Sequence, residues 1–96
     1  MYELETRFDS RKSFYGKAKV KIVEDNISYN ELLYSYGTLV ATYTLDRVNN
    51  LEQFTINGKF SQTTTRHQKE FFKQKGLSDK QIKEIFKNRV LEVEEV

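Results

Sequence analysis

The sequence predicts an α+β domain: an antiparallel sheet of four to five strands followed by two short C-terminal helices packed on it. Three observations predict this. Charged and apolar residues alternate strictly from Lys17 to Ile22, turn-forming residues divide the first two thirds of the chain, and beyond Thr65 the apolar spacing lengthens to a helical repeat. Ninety-six residues suit a single domain around one core, with strands mainly in 1–62, two helices in 65–89 and a tail over 90–96.

The elements follow in chain order. In Lys17-Ala18-Lys19-Val20-Lys21-Ile22, Ala18, Val20 and Ile22 are expected to face the core and the three lysines to face out. Asp25-Asn26 supplies turn chemistry, and Glu31–Tyr36 reads as the next strand, with Leu32, Tyr34 and Tyr36 on one face. Gly37-Thr38 interrupts it, and Leu39–Leu45, rich in β-branched and aromatic residues, is a third strand. After a turn at Asn49-Asn50, Asn57-Gly58 lies between Phe54–Ile56 and Lys59–Ser61. That dipeptide is a strong hairpin signal, because Asn and Gly tolerate the positive φ values of a type I′ turn.

Thr65-x-x-Gln68 has the form of a capping box at the start of the first helix, with Gly76 just past its end. Ser78-x-x-Gln81 repeats the box, Leu77 and Ile82 have the spacing of a hydrophobic staple, and Ile82, Ile85 and Phe86 form an apolar helix face. Val90–Val96 alternates apolar and acidic residues and reads either as a last edge strand or as a frayed end.

Composition removes several chemistries. Without cysteine there is no disulfide and no thiolate metal site, and one histidine, His67, makes no His-rich one. No acidic loop has calcium-binding spacing, so neither a metal nor a cofactor is expected. The N-terminal stretch is charged where a secretory signal is apolar, and no run approaches the roughly 18 apolar residues of a membrane span. A cytoplasmic protein with no membrane partner is the expectation. The hydroxyls lack a matched base and orienting group, and no glycine-rich phosphate loop is present, so no catalytic residues and no enzyme activity are expected.

The small net charge of +2 conceals blocks of one sign. Arg7, Arg11, Lys12, Lys17, Lys19 and Lys21 face only Asp9 in the first, and Glu24, Asp25, Glu31, Asp46 and Glu52 face only Arg47 in the second. A third block, 59–75, is basic again apart from Glu70. Folding that groups like signs would make the surface bipolar.

Three candidate sites follow. Ser61, Thr63, Thr64, Thr65, Arg66 and His67 crowd hydroxyls, a guanidinium and the imidazole at a helix entry, where free amides attract anions. The same residues also read as a threonine-rich helix cap, with His67 packed on Phe71. Arg11 and Lys12, within the basic and aromatic stretch 8–21, suit the backbone charge and base stacking of single-stranded nucleic acid, although Phe14 and Tyr15 could equally anchor the core. Tyr34 and Tyr36 fit either a protein interface or the core.

Three segments taken together, FDSRKSFYGKAKV at 8–20, LYSYGTLVA at 33–41 and GKFSQTTTRHQKEFFKQKG at 58–76, resemble a family of small domains found largely in phages and other mobile elements of low-GC Gram-positive bacteria. The shared pattern falls on Ser13–Ala18, Leu33–Ala41 and Phe60–His67, and Gly37 departs from it, since the family often carries a polar residue there. The resemblance implies no assigned activity. It implies a phage or mobile-element accessory protein that binds a host protein of the defence or transcription machinery, in the manner of an anti-CRISPR inhibitor. On that reading an acidic patch from 22–58, or the acidic tail, would compete for a nuclease's basic groove. The alternative is direct nucleic-acid binding through Arg11, Lys12, Lys17, Arg66, His67 and Lys69. A structural domain that self-associates through a sheet edge is the third possibility.

Overall fold

The computed structural model describes residues 1–58 and 61–94. The strands are β1 (Tyr2–Glu3), β2 (Ala18–Glu24), β3 (Ser28–Ser35), β4 (Thr38–Asp46), β5 (Leu51–Ile56) and β6 (Val90–Glu94), and the helices are α1 (Gln62–Gln74) and α2 (Asp79–Asn88). The six strands form one sheet in sequence order, each antiparallel to its neighbour. The fold is the α+β arrangement expected, with strands added at both edges. β1 is too short to show periodicity, and the tail takes the edge-strand alternative.

Period-two alternation decides what each face carries. Ala18 and Val20 of β2, Leu33 of β3, Ala41 of β4, and Phe54 and Ile56 of β5 turn inward. They meet Phe71 and Phe72 of α1 and Ile82 and Ile85 of α2. α1 packs on β3 and β4, and α2 on β5 and β6, so neither helix reaches far over β2. Ile22 has inward parity but remains 46% exposed, because it lies beyond both the helices and the short β1. On β3 the core side is Glu31, Leu33 and Ser35, which leaves Leu32 and Tyr34 on the opposite face. Tyr36 leaves the strand and occupies the turn to β4.

Two local expectations are overturned. Thr65 does not cap α1. Ser61 does, its hydroxyl accepting the Thr64 amide at 3.3 Å, and Thr65 sits in the first turn with its hydroxyl donating to the Ser61 carbonyl at 3.1 Å. Starting at Gln62 brings Thr64, His67, Gln68, Phe71 and Phe72 onto one buried stripe at i, i+3, i+4, i+7 and i+8. The first three are polar, which hides the stripe from an apolar count. Gln68 anchors it to the sheet by donating to the Val40 carbonyl at 2.8 Å.

The pairing expected around Asn57-Gly58 is not made among the described residues either. β5 pairs with β4 on one side and β6 on the other, and Ser61, which the hairpin would have set on its return arm, caps α1 instead. Lys59 and Phe60 lie outside the described residues. The second helix matches expectation, with a full Ser78–Gln81 capping box and Gly76 at φ +85° after the first helix.

Candidate functional site

Two of the six candidates in the threonine-rich segment turn inward, three are half-buried and Ser61 is exposed. Thr64 and His67 are buried, and the Ser35 hydroxyl lies 3.0 Å from Thr64 Oγ1 and 2.7 Å from His67 Nδ1. The Phe14 ring packs 4.4 Å from the imidazole and Tyr36 covers it at 5.8 Å. Burial lowers the His67 pKa, against a weaker opposing pull from Asp9. The ring is therefore a neutral member of a hydroxyl network that ties α1 to β3. Arg66 turns to Asp9 at 3.4 Å, while Ser61 and Thr65 serve the helix start and Thr63 is half-buried.

Arg11 and Lys12 are exposed in the loop between β1 and β2. That loop is clamped by a carboxylate with no sequence signal. Glu70 Oε1 accepts the backbone amides of Arg7, Phe8 and Asp9 at 3.0, 2.8 and 2.8 Å. Gln74 donates to Glu70 Oε2 at 2.8 Å and to the Glu5 carbonyl at 2.7 Å. Burial would raise the Glu70 pKa, but the hydrogen bonds from Gln74 and the three amides outweigh it and hold the carboxyl below its ordinary value. Asp9 then accepts the Arg11 amide at 2.9 Å as well as Arg66. Arg11 and Arg66 thus flank one aspartate, but His67 is sealed beneath and takes no part in a surface there.

The acidic block is largely occupied internally. Glu31 is buried, bonded to Lys75 and to the hydroxyls of Tyr2 and Tyr29 at 3.2 and 2.9 Å. The Lys75 ammonium also lies over the rings of Tyr43 and Phe71, at 5.1 and 5.3 Å. Burial, then the charge and hydrogen bond of Glu31, push the Tyr2 pKa up to about 12 and raise that of Tyr29. Asp25 and Asp46 accept the amides of their own turns, and Glu24 pairs with Arg47 at 2.8 Å. Tertiary partners thus convert a row of acids into loop anchors and one interior ion pair.

The open face of the sheet is different. Lys17, Lys19 and Lys21 line a groove of about 650 Å³ together with Tyr34, Tyr36, Met1, Gly16 and Gly37. Register sets Lys19 beside Tyr34 and Lys21 beside Leu32. Among the described residues, none of these three lysines joins a salt bridge. The same face ends on β6 with Glu92 and Glu94, paired in register with Gln53 and Leu51, so it runs from basic to acidic across the strands. The sequence shows the lysines facing out and leaves Tyr34 and Tyr36 between a protein interface and the core. It does not show them side by side, because that needs the β2–β3 register.

Among the described residues, no cluster of His, Cys, Asp or Glu could hold a metal ion, and no helix is long and apolar enough to cross a membrane. A model for a family of unknown function, DUF8033, matches residues 2–88, and the chain belongs to that family. No curated protein and no solved structure matches it.

Proposed function

We propose, for a member of a family that brings no activity with it, that this chain is a non-catalytic protein binding single-stranded nucleic acid across the open face of its sheet. The observation that carries the reading is the groove itself, where three lysines that join no salt bridge among the described residues stand with Tyr34 and Tyr36, and Glu3, opposite Lys19 in register, is occupied by the Gly16 amide. Alternate residues of a strand lie about 6.6 Å apart, a spacing suited to successive phosphates of an extended strand. A row of cations supplies backbone affinity, and aromatic rings beside it offer stacking surfaces to unpaired bases. A groove on a sheet face accepts a single strand more readily than a duplex, whose bases are already stacked.

The test is a titration of a labelled single-stranded deoxythymidine oligonucleotide over a range of salt. Three phosphate contacts give a slope of log K against log salt of about −2. Replacing Lys17, Lys19 and Lys21 together by alanine should flatten that slope towards zero and weaken binding at least tenfold at low salt. An affinity and slope that survive the triple replacement would overturn the reading.

A second reading, binding of a host protein as a mobile-element accessory factor, draws on the other end of the same face. Glu92 and Glu94 on the edge strand β6 supply the negative charge that competition for a basic groove requires. Co-purification from bacterial lysate, with and without nuclease treatment, separates the two. A protein recovered equally in both arms supports the second reading, and material lost on nuclease treatment supports the first.

A further inference from the structure

Tyr36, which lines the groove, and Tyr15, the neighbour of the groove residue Gly16, are held in backbone conformations that bulky residues rarely adopt. Tyr15 and Gly16 have φ values of 53° and 74°, and Tyr36 and Gly37 have 52° and 81°. Positive φ at both central residues is the requirement of a type I′ turn, for which Asn-Gly is the relaxed choice and an aromatic at the first position is strained. Outside the groove the chain places asparagine at positive φ in the turn at Asn50, and Arg89 at 69° where α2 ends. Two Tyr-Gly turns therefore stand where relaxed alternatives exist, and strain of this kind gathers at working sites.

Their placement gives the strain a use. The Lys17 amide donates to the Phe14 carbonyl at 3.0 Å, closing the Tyr15 turn, and the Lys17 carbonyl accepts the Tyr36 amide at 2.8 Å. The first lysine of the row is thus clasped between both turns. Tyr36 rests over His67, tilted 30° to it, yet stays 58% exposed, and Tyr15 is 76% exposed. His67, fixed by Ser35, supports the Tyr36 ring from below.

We infer that Tyr15 and Tyr36 are base-stacking residues that capture an unpaired nucleobase where the strand passes Lys17. This deepens the proposed nucleic-acid reading and rests on it. Strain is accepted in both turns because asparagine, the relaxed residue, offers no ring.

The experiment pairs stability with two probes, a deoxythymidine oligonucleotide and an abasic oligonucleotide of the same length. Tyr15→Asn and Tyr36→Asn should each raise the melting temperature. Each should also weaken binding of the deoxythymidine strand by about 5- to 150-fold, the range of one lost stacking contact. Binding of the abasic strand should stay unchanged. Tyr36→Phe should keep the affinity, and Tyr36→Trp, in a chain without tryptophan, should lose fluorescence on adding deoxythymidine but not on adding the abasic strand. Asparagine variants that bind deoxythymidine as tightly as the parent, or that weaken for both probes alike, would overturn the inference while the lysine groove stands. If neither probe binds the parent protein, the groove and the inference fall together.

Discussion

At the scale of single residues, buried polar groups do the work that sequence patterns miss. Glu70, His67 and Glu31 look like surface residues in the chain, yet each is nearly sealed and fully partnered. Little that is local announces them, because apart from Tyr29 beside Glu31 and Gln74 beside Glu70 their partners lie from 29 to 63 residues away. Glu70 is the most exposed to test. Glu70→Gln keeps an acceptor but removes the charge that shortens and strengthens the three amide bonds, so a loss of about 1–2 kcal/mol is expected. For a domain of this size that lowers the melting temperature by roughly 4–8 °C per kcal/mol. The pH dependence has a definite sign. The folded carboxyl titrates below its ordinary value of 4.5, so its contribution is complete above 4.5 and is lost as the pH falls through the folded value. The difference between parent and variant melting curves should therefore hold near neutrality and shrink in acid. A constant difference would show that the charge is not what clamps the loop.

At the scale of elements, strands were legible wherever charge and apolar side chains alternate, and the end of α1 and the start of α2 were legible from Gly76 and the Ser78–Gln81 box. The start of α1 was not, because Thr64, His67 and Gln68 face the core as hydrogen-bonding residues and the stripe they form carries no apolar signal. Asn57-Gly58 misled for another reason. A turn signal reports local backbone preference, whereas β5 takes its second partner from β6, the last strand of the chain. Mutation of the two competing caps separates the assignments. Ser61→Ala should cost about 1 kcal/mol, the usual value for a lost N-cap, while Thr65→Ala should cost less than about half of that. Thermal melts giving the reverse order would put the helix start at Thr65 after all.

For the whole molecule, charge blocks in the chain translate only partly into charged surfaces. The acidic block 22–58 is drawn largely into turns and one buried pair with Lys75. The first basic block divides between two places: Lys17, Lys19 and Lys21 on the open sheet face, and Arg7, Arg11 and Lys12 in the loop held by Glu70 beside α1. The segregation of sign was visible in the sequence, but which cations keep an unpartnered face was not, since that depends on the partners folding brings in. The two basic surfaces make competing claims on an anionic ligand. Backbone amide shifts in nuclear magnetic resonance, followed as a deoxythymidine oligonucleotide is added, distinguish them directly. Binding across the open sheet face predicts shifts concentrated at 15–21 and 34–37, with Arg11, Arg66 and Lys69 unmoved; shifts confined to 7–12 and 66–73, or none at low salt, would contradict it.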